Sequence, residues 1–149
     1  MYNIKEESTL EVFHECLKMG EAHYNEVESK SERIPYNVDY DLAETLIDLG
    51  LVVIITARTE GKLVGYFVSL ISKDFFTSRR EAKELGIYIA PEARGTSLFF
   101  RLMKETEKNL ASKDVKSIYI MFKEGHDIGL GPRLGYEKTE TVYQKILET

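Results

Sequence analysis

The stretch Glu92-Ala93-Arg94-Gly95-Thr96-Ser97 sets a glycine, two hydroxyl side chains and an arginine between an apolar strand-like run and an amphipathic helical one. That placement suits an anion. The first amides of a helix have no partner inside it, and the helix dipole adds about half a positive charge at that end, so a phosphate held against them is stabilised. Bulky side chains would keep a phosphate off the amides, and Gly95 has none. The backbone of Arg94 to Ser97 offers successive N–H groups, to which the hydroxyls of Thr96 and Ser97 can add donors. The plainer alternative is an Arg-Gly turn that merely starts a helix. Other reactive residue types are sparse. Cys16 is the one cysteine, so no intrachain disulfide forms, and its place on an apolar helical stripe marks a core residue. His14 and His23 have no partner motif, and His126 sits by itself in a glycine-rich stretch. No His, Cys or carboxylate pair stands at metal-ligand spacing, and no serine has the nucleophile-elbow pattern, so neither a metal centre nor a serine nucleophile is expected.

These residues depend on the elements that carry them. Ser8 and Glu11 have capping-box spacing, and Leu10, Phe13, Cys16 and Leu17 follow at helical intervals, which predicts a helix from Thr9 to Gly20. Residues 21–40 carry three tyrosines and no sustained period, and read as a long surface loop, either functional or a plain connector. Its Glu26, Glu28 and Glu32 either meet a cationic ligand or form a solvated cluster. Leu42, Ala43, Leu46, Ile47 and Leu49 mark a second helix, which Gly50 can end. From Leu51 to Ile71, β-branched runs flank a turn-like Arg-Thr-Glu-Gly-Lys and predict an antiparallel hairpin. After a charged interruption, residues 84–90 read as a strand, with Leu85, Ile87 and Ile89 on one face and Glu84, Gly86, Tyr88 and Ala90 on the other; Pro91 ends it. A helix striped by Leu98, Phe99, Leu102, Met103 and Leu110 follows, then a strand over 116–122, a short helical turn and a final strand over 136–147, with an extra strand at 2–5. Strand, helix, strand across 84–122 implies a right-handed crossover and a parallel pair beside antiparallel neighbours.

A chain of 149 residues suits one domain, residues 1–149. Its 43% apolar and 30% charged residues are those of a chain that folds unaided, and a net charge of −5 gives no broad basic field, which argues against nucleic acid as a partner. No basic-then-apolar leader and no run near ~20 apolar residues occurs, so no membrane association is expected and a cytoplasmic location fits.

The strand before Pro91, the segment from Pro91 to Met103, the next strand and the closing run from Leu134 to Leu147 together resemble the acetyl-CoA-binding core of the GNAT superfamily of N-acetyltransferases, over about residues 51–147. The family's loop pattern Q/R-x-x-G-x-G/A falls on Glu92 to Ser97. Gly95 matches, and Arg94 stands where many members have an arginine. Glu92 departs from Q/R, Ser97 replaces one small residue by another, and Phe99 is bulkier than the glycine frequent there. The closing run is also similar to acetyltransferase-like proteins of tailed phages and prophages.

The resemblance implies an α/β (α+β) fold: a mixed, mostly antiparallel sheet of about six to seven strands flanked by helices, with a splayed parallel strand pair. It implies acetyl-CoA as cosubstrate and no metal. Arg94, Gly95, Thr96, Ser97, Leu98 and Phe99 would line its pyrophosphate, the backbone of Ile87 and Ile89 its pantetheine arm, and His126 lies near a polar CoA-contacting position of relatives. An amide near Ile87 and Ile89 would stabilise the oxyanion of the attacked thioester. The acceptor, a small-molecule or peptide amine, attacks directly and needs a base, often through water. Glu84 is the first candidate, or else a solvated strand-end carboxylate; Tyr88, expected on the same face, lines the acceptor site or packs. The family's general-acid tyrosine falls on Gly131, four residues before Gly135. Tyr136, Tyr143 or water would then deliver the proton, and a thiol pKa of about 8.5 lets the thiolate leave unassisted. The alternative is a catalytically weak or inactive CoA-binding, regulatory or protein-interaction module on the same fold. Oligomeric state is open, a homodimer included.

Overall fold

A computed structural model describes residues 1–27, 36–122 and 129–147. Its centre is a five-stranded sheet in the order β1-β2-β3-β4-β5. The expected hairpin supplies β2 (Val52–Thr59) and β3 (Lys62–Lys73), whose aliphatic runs are covered on both faces. β1 (Asn3–Glu6) adds antiparallel to β2, as the sequence suggests. β4 (Arg80–Ile89) pairs antiparallel with β3, and β5 (Ser117–Tyr119) pairs parallel with β4. The sheet is therefore mixed, with fewer strands than expected. Residues 136–147 do not join it. Val142 and Tyr143 are adjacent and would fall on opposite faces of any strand, so that segment has no continuous apolar face to bury, and both stand exposed with Leu147.

Helices cover both faces. α1 (Leu10–Val27) and α2 (Tyr40–Asp48) lie over Val52, Ile54, Tyr66 and Val68, to which α1 adds Cys16 and α2 the flanking Leu46 and Ile47. α3 (Leu98–Ser112) lays Leu102, Met103 and Leu110 over Val53, Ile55, Phe67 and Ile71 on the other face, and α4 (Leu130–Arg133) is the expected short turn. α2 starts at Asp39, whose Oδ1 accepts from Leu42 N–H at 2.9 Å, and ends before Gly50 at φ +72°.

α1 departs from expectation at both ends. Thr9 is its cap, Oγ1 accepting from Val12 N–H at 3.2 Å. Ser8 Oγ instead accepts from Ile54 N–H at 2.9 Å and donates to Glu6 at 2.6 Å, tying the chain to β2. The helix also runs through Gly20 rather than stopping there. A Cβ at Gly20 would meet Tyr66 Oη at 3.2 Å and Tyr36 Oη at 3.3 Å, so this glycine serves close approach. The expected loop over 21–40 is thus helical to Val27, and Glu28 and Glu32 lie outside the described residues.

β4 begins earlier than its apolar run, and strict alternation fails inside it. Val68 pairs with Gly86 but Ser69 with Glu84, which leaves Leu85 as an extra residue in a β-bulge. Leu85 is consequently exposed, not in line with Ile87 and Ile89.

Candidate active site

β4 and β5 pair only from Glu81 to Lys83 against Ser117 to Tyr119. Beyond that the two strands part, so the β4 edge from Glu84 to Ile89 faces an opening. Ala90 N–H donates to Val64 O at 2.8 Å, which turns Ala90 toward β3. By the alternation of an antiparallel ladder, Ile87 and Ile89 direct their backbone groups away from β3, toward the opening. Ile89 O is met there by Arg94 Nε at 2.9 Å, and the Arg94 guanidinium lies 5.4 Å from the Tyr88 ring centroid. Arg94 thus joins the strand to the loop that follows.

That loop is built by a 3-10 turn over Pro91–Ala93, which consumes the Arg94 amide: Arg94 N–H donates to Pro91 O at 3.3 Å. Gly95 then turns the chain at φ +79°, with nothing within 4 Å of a Cβ built there. The amides of Gly95, Thr96, Ser97, Phe99 and Phe100 have no hydrogen-bond partner among the described residues. Two expected contacts change character. Leu98 is fully buried and its amide donates to Thr96 Oγ1 at 3.2 Å, so it is a core residue and not a ligand contact. Thr96 Oγ1 also donates to Ala93 O at 2.8 Å, so its hydroxyl belongs to the turn and not to a ligand. Phe99 packs against the α3 face of the core, which leaves the amides uncovered by its ring. Ser97 makes no cap hydrogen bond and is exposed. A diphosphate fits this corner: a glycine bend, open space on its Cβ side and unpaired amides at the start of a long helix.

Sequence reasoning missed the adjoining surface. A cleft of about 360 Å³ opens from Ser97 along α3, lined by Phe100, Arg101, Lys104, Glu107, Arg133 and Leu134. Arg133 stands 5.4 Å over the Phe100 ring. Arg101 and Lys104 share one helix face three residues apart, a signal available in the sequence; that Arg133 joins them depends on the fold.

Glu84 lies at the bulge, where the opening begins. The bulge puts it in register with Ser69, whereas Tyr88 is in register with Tyr66, so the two do not share a face by simple alternation as expected. Tyr88 packs: its ring stacks on Tyr66 at 6.1 Å as well as lying under Arg94. Burial holds the Tyr66 phenol well above its ordinary range, and the nearby Cys16, Tyr36, Tyr88 and Glu84 add to this. Burial likewise pushes the Cys16 thiol up to about 12, which removes it as a nucleophile. Tyr136 Oη donates to Glu107 Oε2 at 3.1 Å, with burial and then the Glu107 charge raising its pKa, and Tyr143 is almost wholly exposed. Gly131 is buried at the start of α4, and His126 lies outside the described residues. Among the described residues no group of His, Cys, Asp or Glu gathers as a metal site, and no helix is long and apolar enough to cross a membrane.

A family model described as "Acetyltransferase (GNAT) family" matches residues 14–128. No curated protein matches the chain in sequence. Among solved structures, an aminoglycoside acetyltransferase from an uncultured soil metagenomic sample, in complex with sisomicin, superposes with a TM-score of 0.76 at 14% identity, covering 99% of this chain and 97% of that one. A predicted acetyltransferase from Clostridium acetobutylicum with acetyl-CoA gives 0.77 at 12% identity, covering 99% and 97%. A ribosomal-protein-alanine N-acetyltransferase from Brucella melitensis biovar Abortus 2308 gives 0.70 at 17% identity, covering 98% of each.

Proposed function

We propose that this chain, which belongs to the acetyltransferase (GNAT) family, moves an acetyl group from acetyl-CoA directly to an amine held at the mouth of the β4–β5 opening. The observation that carries this is the set of unpaired amides of Gly95, Thr96, Ser97, Phe99 and Phe100 standing at the wide end of an opening whose narrow end is Glu84. The strand from Ile89 back to Glu84 covers about 17 Å at ~3.3 Å per residue, the scale of an extended pantetheine arm. Acetyl-CoA supplies the activated thioester. The amides of Gly95, Thr96, Ser97, Phe99 and Phe100 hold its diphosphate, and the backbone of Ile87 and Ile89 holds the arm. Arg101, Lys104 and Arg133 give the adjoining cleft the charge to take the phosphorylated ribose, and Phe100 offers a ring for the purine. Glu84, half-buried where the opening starts, accepts the proton of the attacking amine, directly or through water.

The acceptor is a small-molecule amine in this reading; relatives described with an aminoglycoside and as acting on ribosomal-protein alanine differ on this point. Calorimetry with acetyl-CoA, followed by thiol release over a panel of aminoglycosides, polyamines and peptide amines, tests it. Binding plus release with at least one amine is expected, and absence of binding refutes it. One observation favours a second reading, binding without turnover. Position 131 is glycine, and Tyr136, the nearest replacement acid, is engaged by Glu107. Binding with no release across the panel would establish that reading.

A further inference from the structure

Phe75 and Phe76 each stand 91% exposed at the turn that joins β3 to β4. The turn holds itself in place. Asp74 directs its carboxylate back onto it, Oδ1 accepting from the amides of Phe76 and Thr77 at 2.8 Å and from Thr77 Oγ1 at 3.0 Å, while Asp74 N–H donates to Arg79 O at 2.8 Å. The two rings sit edge to face with centroids 5.4 Å apart. Fixed rings in water add nothing to the core, whereas a partner that covers them loses less ordering entropy on binding. Lys73 and Arg79 flank the rings, exposed and without an ion pair among the described residues.

A matching surface lies on α2. Leu42 and Leu49, two turns apart on one side of the helix, are 54% and 65% exposed, with half-buried Leu46 between them. Asp41 and Asp48 run beside them at the same two-turn spacing, exposed and likewise without an ion pair among the described residues. Two acids beside two leucines thus complement two bases beside two phenylalanines. Both surfaces lie at one end of the sheet, since Leu51 O accepts from Ile71 N–H at 2.7 Å and sets the end of α2 beside the strand that runs out to the turn. A patch that carries both halves of a complementary contact closes on a second copy about a two-fold axis, where every contact occurs twice. An aromatic ring carries roughly 150–250 Å², so two rings and two leucines from each copy, with their charged rim, reach the ~1,000 Å² total of a specific interface. Asp41 and Asp48 would repel an anionic membrane.

We infer that this chain forms a two-fold dimer in which Phe75 and Phe76 seat on Leu42 and Leu49 of the partner subunit, with Lys73 and Arg79 facing Asp41 and Asp48 of the partner subunit. The turn lies about 30 Å along β4 from Ile89 at ~3.3 Å per residue, so the contact leaves the opening and the Gly95 corner uncovered. It requires no acetyl-CoA.

Sedimentation equilibrium of the full chain at micromolar concentration should give twice the 17.1 kDa of one chain. Phe75→Ser/Phe76→Ser should raise the dimer dissociation constant about a hundredfold or more, with an unchanged far-UV circular dichroism spectrum because both rings lie outside the core. Lys73→Glu/Arg79→Glu and Asp41→Lys/Asp48→Lys should each be monomeric alone and form a dimer when mixed in equal amounts, since each turn then meets a helix of opposite charge. A wild-type monomer overturns the dimer, and if that monomer sediments with phosphatidylglycerol vesicles the rings serve a lipid surface instead. A dimer unaffected by loss of both rings overturns the role of the turn. Charge variants that stay monomeric when mixed, or that dimerise alone, overturn α2 as its counterpart.

Discussion

Replacing Gly95 by alanine separates the strain of the bend from the grip on the diphosphate. Gly95 sits at φ +79° with nothing within 4 Å of a Cβ, so alanine meets no protein atom and the cost to folding is conformational only. An L-residue in that region costs roughly 1–2 kcal/mol. For a chain of this length that lowers Tm by about 2–8 °C. Gly50 offers a matched control, since it has φ +72°, equally open space and a place at the end of α2, outside the loop. The ligand term is separate. A hydrogen bond to a charged phosphate is worth about 1.5–3 kcal/mol, so a methyl that displaces the diphosphate from even one amide, at ~2 kcal/mol, weakens binding about 30-fold. Thermal melts and acetyl-CoA calorimetry on both variants should show matching Tm losses and a weakened Kd in Gly95→Ala alone. Equal Kd values for the two variants would refute the amide cradle.

Arg58 donates from Nε to Glu7 at 2.7 Å and grips Glu15 at 2.6 Å. For Glu7, burial alone would raise the pKa, but hydrogen bonds from Arg58 and Thr56 outweigh it; for Glu15 the Arg58 hydrogen bond leads, and both carboxyls end below their ordinary value of 4.5. Their stabilisation is therefore complete above about pH 4.5 and lost as pH falls through the lowered values. Arg58→Ala should cost about 2 kcal/mol at pH 7, discounted for partial exposure, and the Tm gap from wild type should close below pH 4. Thr9→Ala should cost about 1 kcal/mol as a lost cap, and Ser8→Ala about 1–3 kcal/mol because Ile54 N–H loses its acceptor; in the same melts Glu11→Ala should change little. Removing both Arg101 and Lys104 should weaken acetyl-CoA binding about tenfold at low salt and less at high salt, while leaving dephospho-CoA binding nearly unchanged.

Much of this layout was legible because local chemistry sets it. The β2–β3 hairpin, α2 with its Gly50 stop, the strand ended by Pro91 and the helix after Ser97 follow from periodicity, caps and turn residues that act within a few positions. The misreadings share one cause. Gly20 looked like a stop because a glycine in a helix costs stability, yet it is retained for Tyr66 and Tyr36, which approach from β3 and from beyond α1. Ser8 and Glu11 had the spacing of a capping box, but β2 recruited Ser8. Leu98 and Thr96 lie in the expected loop, yet the Leu98 side chain is buried in the core and the Thr96 hydroxyl is spent on the turn.

The amino-acid order alone determined the glycine bend at Gly95 and the helix that opens beyond it, since both arise from the conformational freedom of one residue and the unpaired amides of the next few. Only the tertiary structure decided that β4 carries an extra residue at Leu85, that β5 leaves it after Lys83, that Ser69 stands across from Glu84, and that Arg133 closes on Arg101 and Lys104. Each is a matter of register or convergence between segments distant in the chain, set by which apolar faces must be buried together, and no short window of sequence contains that information.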